Sequence, residues 1–137
     1  MSLYVQHATC MNDAHCLVKV LEKRFKEVEY HHGNPQQLIG YIGDRRTQKA
    51  EVIVRRKFVG GSSNDIGFAR DGETGNFSAI ISDYDGYKHG ALWLQNLTKD
   101  YLVEKATALM AEQDAELAEP IENLPDGSIR MKFHVHA

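Results

Sequence analysis

The spacing of apolar residues predicts two main helices separated by a group of strands. Between residues 13 and 26, apolar residues recur at helical spacing and fall on one face. They are Ala14, Leu17, Val18, Leu21 and Phe25. Asn12 or Asp13 can cap the first turn of this helix. A second, longer helix is predicted from residue 89 or 90 to residue 113. Its apolar face comprises Trp93, Leu94, Leu97, Tyr101, Leu102, Ala106, Leu109 and Met110.

Between the helices, two-residue alternation and glycine-marked bends predict a three-stranded antiparallel meander. Its strands are expected at residues 50–59, 65–70 and 77–82. Further strands are expected at residues 3–11, 28–32, 38–42 and 129–136, with a polar connection at residues 43–47. This order predicts a single α+β domain over residues 1–137, with a mostly antiparallel twisted sheet and two main helices packed on one face.

In the strand expected at residues 50–59, the alternation predicts one core face and one basic outer face. Val52 and Val54 are assigned to the core, and Arg55 and Lys57 to the outer face. On the next strand, Gly67 and Ala69 leave room for a close backbone approach.

Composition places the chain among ordinary globular proteins, with 42% hydrophobic and 26% charged residues in 137. No apolar segment of a signal peptide follows Met1, and no apolar run reaches the roughly 20 residues of a membrane span. Cys10 and Cys16 fit reduced thiols rather than a disulfide framework. We therefore expect a cytoplasmic protein with no membrane association.

The overall charge and the local charge have opposite signs. A formal net charge of −3 argues against a nucleic-acid partner. Residues 44–70 nevertheless hold seven of the 16 Lys and Arg residues and only three acids. Cations held together on a sheet repel one another, so a bound anion is one reason to retain them. Solvation, or salt bridges to the acidic segment at residues 114–122, is the alternative. The candidate ligand-binding residues are Arg45, Arg46, Arg55, Lys57 and Arg70, with Tyr84 and Trp93 as stacking surfaces.

Other candidate chemistry is weaker. His31 and His32 could lie beside His134 and His136, but these four lack the spacing of a recognised metal site. A cysteine nucleophile paired with a histidine lacks any flanking signature. Two glycines, at positions 40 and 43, fit backbone turns rather than a phosphate-binding loop. We expect no metal, no cofactor and no catalytic residue.

Four short motifs occur in order along the chain. They are Gly-Tyr-Ile-Gly at residues 40–43, Ala-Glu-Val-Ile-Val-Arg at 50–55, Asp-Ile-Gly-Phe-Ala-Arg at 65–70 and Asp-Gly-Ser-Ile-Arg at 126–130. In this the chain resembles a family of unknown function, typified by a hypothetical chloroplast reading frame (number thirty-five) with cyanobacterial, bacterial and phage relatives. The resemblance implies a small α+β protein without an established activity. The genes of relatives often lie beside the gene of an AAA-type ATPase. The resemblance therefore implies that the protein acts as an accessory partner to such an ATPase.

These observations favour a non-enzymatic protein that binds an anionic, phosphate-bearing small molecule. Nucleotides are one such class, and sequestration of a nucleotide signal is one version of the hypothesis. A protein–protein adaptor or a self-assembling homo-oligomer is the second hypothesis, because an exposed strand edge can pair with another chain. A small hydrolase that uses the histidines is the third.

Overall fold

A computed structural model describes residues 2–112, 115–117 and 119–135. The strands are β1 (Tyr4–Ala8), β2 (Glu29–Tyr30), β3 (Gln36–Ile39), β4 (Arg45–Ala50), β5 (Val52–Val54), β6 (Ile66–Arg70), β7 (Phe77–Ser82), β8 (Ala115–Leu117), β9 (Glu122–Asn123), β10 (Ile129–Arg130) and β11 (Phe133–Val135). The helices are α1 (Ala14–Glu22), α2 (Arg56–Val59) and α3 (Ala91–Glu112), with a 3-10 turn at Asp85–Tyr87. None of the described helices is both long and apolar enough to cross a membrane.

An antiparallel sheet forms the centre of the molecule, with its strands in the order β1-β7-β6-β5-β2. Helices α1 and α3 cover one face of this sheet. Their buried residues, such as Leu17 and Leu97, share one core with Val52, Phe68 and Phe77 of the strands. The fold class is therefore α+β, as predicted, with the two main helices on one face.

Helix α1 begins where the sequence predicts. Asp13 is the N-cap, and its carboxylate accepts a hydrogen bond from the Cys16 amide at 3.2 Å. The helix ends at Glu22 rather than near residue 26 because the chain then tightens into a turn. The amides of Arg24 and Phe25 both donate to the Leu21 carbonyl, each at 2.9 Å. Phe25 stays buried although it lies beyond the helix.

The predicted meander is confirmed as β5, β6 and β7, but its first strand is shorter than expected. β5 ends at Val54, and α2 follows at once. The Arg56 amide donates to the Asp65 carboxylate at 2.6 Å, and the Phe58 amide donates to the Arg55 carbonyl at 2.9 Å. These bonds turn the chain out of the sheet. The prediction of a strand to residue 59, with Arg55 and Lys57 alternating on its outer face, is wrong.

The second face of the sheet is covered by a hairpin that the sequence analysis missed. Part of the predicted polar connection at residues 43–47 belongs to β4, which pairs with β3 in a separate two-stranded sheet. Leu38 and Ala50 of this hairpin are buried together with Ile53 and Ile80 of the main sheet. The outer face of β5 is therefore apolar and buried rather than basic.

Gly67 marks the point where the hairpin meets the sheet. A Cβ atom at this position would lie 2.8 Å from the Ala50 Cβ and 2.8 Å from the Leu38 Cδ2. A close approach does occur at Gly67, but the approaching groups are side chains of the β3–β4 hairpin rather than the backbone that was predicted.

The C-terminal part forms two short antiparallel pairs, β9 with β10 and β8 with β11. The turn predicted between residues 125 and 128 is present, with Gly127 at a φ of 91°. The strand predicted at residues 129–136 is divided into β10 and β11. Its last residue, His136, and the expected last residue of the long helix, Gln113, lie outside the described residues.

Candidate functional site

The residues of the predicted basic cluster lie in several separate parts of the structure. Arg45 and Arg46 lie on β4, Arg55 follows β5, and Lys57 lies exposed on α2. Arg70 is at the far end of β6, because Val54 pairs with Ile66 at the beginning of that strand. The predicted convergence of these cations is therefore only partial, since the strand expected to carry Arg55 and Lys57 on one face ends at Val54 and Arg70 lies at the opposite end of β6.

Arg55 is held by two acids. Its Nε and Nη2 donate to the two carboxylate oxygens of Glu29 at 2.9 and 3.0 Å, and its Nη1 donates to Asp65 at 2.8 Å. Nη1 also donates to the Gln37 carbonyl at 3.2 Å. These bonds use four of the five guanidinium N–H groups. The hydrogen bonds from Arg55 hold the pKa of Glu29 below its usual range.

Asp65 links three parts of the chain although it is fully buried. One carboxylate oxygen accepts from the Ile39 amide at 2.7 Å and from Arg55, and the other accepts from the Arg56 amide. The Tyr4 hydroxyl donates to the backbone carbonyl of Asp65 at 2.7 Å. Burial, together with the nearby Asp65 charge, raises the pKa of Tyr4. Asp65 therefore fixes the hairpin, the end of β5 and β1 to one point.

Arg46 and Arg70 also have structural partners. Arg46 donates to the Ser2 carbonyl at 2.6 Å, and its guanidinium carbon lies 4.7 Å from the centre of the Tyr4 ring. Arg70 donates to the carbonyls of Asn12 and Gly75 at 2.9 and 2.8 Å. These bonds account for both charges without a ligand.

One groove contains two cations, Arg45 and Lys49, whose side chains have no partner of this kind among the described residues. We call it the basic groove, and it has a volume of about 420 Å³. Its lining residues are Asn34, Pro35, Gln36, Gln37, Ile39, Arg45, Lys49 and Arg55. Among the described residues, no carboxylate forms a salt bridge with Arg45 or Lys49. The groove brings together two predicted site residues, Arg45 and Arg55.

Lys49 is the residue that the candidate set missed. Residues 45, 47 and 49 are exposed, whereas residues 46, 48 and 50 are more buried. This alternation places Arg45 and Lys49 on the same face of β4. The pattern is visible in the sequence once residues 45–50 are treated as a strand rather than as a connection.

A larger groove, of about 760 Å³, brings Tyr84 and Arg46 together with Tyr41. Two acids, Asp44 and Asp83, also line it. Since Arg46 already binds a carbonyl and a tyrosine ring, these acids leave little net attraction for an anion. Tyr84 therefore lies apart from the free cations.

Trp93 lies in neither groove. Its ring packs edge to face against His89 at a centroid distance of 5.1 Å, and against Phe25 at 6.0 Å. It belongs to the rim of the core beneath α3. The predicted stacking role of Trp93 beside the cations does not fit this position.

The histidines are dispersed. His31 hydrogen-bonds Glu29 at 2.8 Å, His32 hydrogen-bonds the Tyr30 hydroxyl at 2.7 Å, and His89 is buried. No cluster of three or more His, Cys, Asp or Glu side chains suited to a metal ion occurs in the part of the chain that the structure describes. His136, one of the four histidines considered together, lies outside that part.

Comparison with known proteins gives one match, to a family model. No curated protein and no solved structure matches the chain significantly. Residues 25–132 match the model of a family described as "Protein of unknown function (DUF1257)". This match spans the hairpin, the meander, α3 and most of the C-terminal strands, and it agrees with the resemblance seen in the four motifs. The chain is therefore a member of this family of unknown function.

Proposed function

We propose that the protein binds an anionic, phosphate-bearing small molecule in the basic groove and does not transform it chemically. The observation that supports this proposal is the pair of cations, Arg45 and Lys49, that lie in a concave, polar site without an ion-pair partner among the described residues. Most other arginines of the segment already donate to carboxylates or carbonyls.

The polar groups of the groove suit recognition of phosphate oxygens. Arg45 offers a planar fork of donors, and Lys49 offers a mobile point charge. Arg55, at the base, keeps one N–H group beyond the four that Glu29, Asp65 and Gln37 accept. Hydrogen bonds between such cations and phosphate are charge-assisted and stronger than neutral ones.

The distance between Arg45 and Lys49 favours a ligand with separated phosphate groups. Arg45 and Lys49 are four residues apart on one strand, so their Cα atoms are roughly 13 Å apart. A single phosphate can engage both cations only if both side chains bend towards it. A ligand with two phosphates can engage each cation in an extended side-chain conformation. The volume falls in the range of small-molecule sites.

Aromatic side chains are absent from the groove lining within the described residues. A nucleotide bound here would therefore be recognised through its phosphates, with little discrimination between bases. Nucleotides thus remain candidate ligands as carriers of phosphate groups.

Isothermal titration at low salt tests the proposal with orthophosphate, pyrophosphate, AMP, ATP and a cyclic dinucleotide. We expect saturable binding that tightens with the number of phosphates and weakens as salt screens the charges. The double variant Arg45→Gln/Lys49→Gln should weaken binding at least about tenfold, because it removes two charge-assisted contacts.

The matched control is Lys26→Gln/Lys57→Gln, which removes the same charge from exposed positions outside the groove. It should leave the affinity within about twofold of the wild type. Equal losses in both double variants would mean that only the overall charge matters. The absence of heat with every ligand would reject the proposal.

A further inference from the structure

β1 is an edge strand with unpaired backbone groups. Among the described strands it pairs only with β7. The Asp83 amide donates to the Leu3 carbonyl at 2.8 Å, so Leu3 directs its backbone groups towards β7. In an antiparallel ladder this direction alternates along the strand. The N–H and C=O groups of Tyr4, Gln6 and Ala8 therefore point away from the sheet.

Natural edge strands are usually protected against pairing with another chain. The usual devices are lysine, proline, a bulge or a very short strand. The other edge strand, β2, has only two residues. β1 has five residues, none of them charged or proline, and pairs with β7 in continuous register. Its neighbour Leu3 is 67% exposed, and Val5 within it is 44% exposed.

We propose that β1 pairs with β1 of a second copy of this chain, antiparallel and across a two-fold axis at Gln6. This arrangement places Tyr4 opposite Ala8 of the second copy, and Gln6 opposite Gln6 of the second copy. Every outward-pointing residue then meets another outward-pointing residue. The three pairs can form six backbone hydrogen bonds and join two five-stranded sheets into one.

The side chains are compatible with this pairing. The strand carries no formal charge, so no like charges oppose each other across the axis. The exposed Val5 lies opposite His7 of the second copy and loses solvent contact on pairing. A two-fold contact of this kind is self-complementary and closes at a dimer.

Sedimentation velocity of the full chain, at concentrations from about 1 to 200 μM, tests the proposal. We expect a concentration-dependent monomer–dimer equilibrium. The variant Gln6→Pro should weaken the dimer more than about tenfold, because it removes two of the six hydrogen bonds and adds a steric obstacle at the axis. Since the Gln6 amide points away from β7, this variant should keep the wild-type circular dichroism spectrum.

A charge exchange tests the position of the axis and does not depend on proline. Gln6→Lys and Gln6→Glu each place two like charges opposite one another and should each weaken the dimer at least about fivefold. An equimolar mixture of these two variants places opposite charges across the axis, and it should restore association to the wild-type level or above.

Two results would overturn the proposal. One is a wild-type protein that stays monomeric throughout the concentration range, which would leave the edge to a strand of another protein. The other is a dimer that persists unchanged in folded Gln6→Pro and in both charged variants, which would place the interface elsewhere.

Discussion

Asp65 has no exposed surface, yet its carboxylate accepts hydrogen bonds from the Ile39 amide, the Arg56 amide and the Arg55 guanidinium. This ion pair gives one of the clustered arginines, Arg55, a structural role. Arg55 neutralises a buried acid, and Arg56 donates to the carbonyls of Ser63 and Gly61 in the following loop. At the residue scale, most of the local positive charge has a structural role.

Removal of the Asp65 charge should therefore destabilise the protein strongly. Asp65→Asn leaves Arg55 with one acid fewer and turns an NH₂ group towards backbone donors, so the free energy of unfolding should fall by about 3 kcal/mol. Glu29→Gln is the matched variant, because Glu29 also binds Arg55 but is partly exposed. It should cost about 1 kcal/mol or less. Urea denaturation measures both, and equal losses would contradict this account.

His89 provides a second test at this scale. It is 6% exposed, and its Nδ1 atom has no hydrogen-bond partner among the described residues. Burial lowers the pKa of His89 below its ordinary value of 6.5. The unfolded chain therefore binds this proton more readily than the folded protein. The contribution of His89 to stability must fall as the pH drops below about 6.5.

The variant His89→Phe keeps a ring against Trp93 but removes the titrating group. As the pH is lowered from 7.5 to 5.5, the free energy of unfolding of the variant should rise relative to that of the wild type. The rise should be at most about 1.4 kcal/mol per pH unit. Thermal unfolding at the two pH values gives the comparison. A difference that is the same at both pH values would show that folding leaves the pKa of His89 unchanged, contrary to this account.

At the scale of elements, long periodic segments were predictable and short ones were not. Helix α3 and the meander were recognised from their apolar positions, although Leu102 and Leu109, assigned to the apolar face of α3, are exposed. β4 was not predicted because its sequence, Arg-Arg-Thr-Gln-Lys-Ala, contains only one apolar residue. Its buried side depends on Ala50, which packs against the sheet, and on the partly buried stem of Arg46. The end of β5 at Val54 depends on Asp65, eleven residues further along the chain.

Gly67 tests how closely the hairpin packs on the sheet. Gly67→Ala places a methyl group within 2.8 Å of both Ala50 and Leu38, so it should lower the free energy of unfolding by about 1–3 kcal/mol. Gly61→Ala is the control, because nothing lies within 4 Å of a Cβ atom there. It should change stability by no more than about 0.5 kcal/mol. Chemical denaturation measures the free energy of unfolding of both variants. Similar small losses would mean that the hairpin shifts to make room for the added methyl group.

At the scale of the whole molecule, the charge excess pointed to the region that contains the basic groove, but Lys49, which lines the groove, was not among the candidate residues. Arg45 and Arg55 were identified from the sequence, and both line the basic groove. Lys57 was assigned to the outer face because a strand to residue 59 was assumed, and Arg70 was expected to join it from the next strand. The separation of Tyr84 and Trp93 from the free cations depends on how the hairpin and α3 cover opposite faces. No local pattern in the sequence reports that arrangement.

The position of β1 has a consequence for the synthesis of the chain. β1 is made before the other strands of the sheet, and its partner β7 is made after them. The sheet cannot be completed before residue 82 has emerged. Until then β1 has two open edges, and its closure must bring together residues at least 70 positions apart. The nascent chain therefore passes through a long interval in which its first strand is available to any chaperone that holds extended segments.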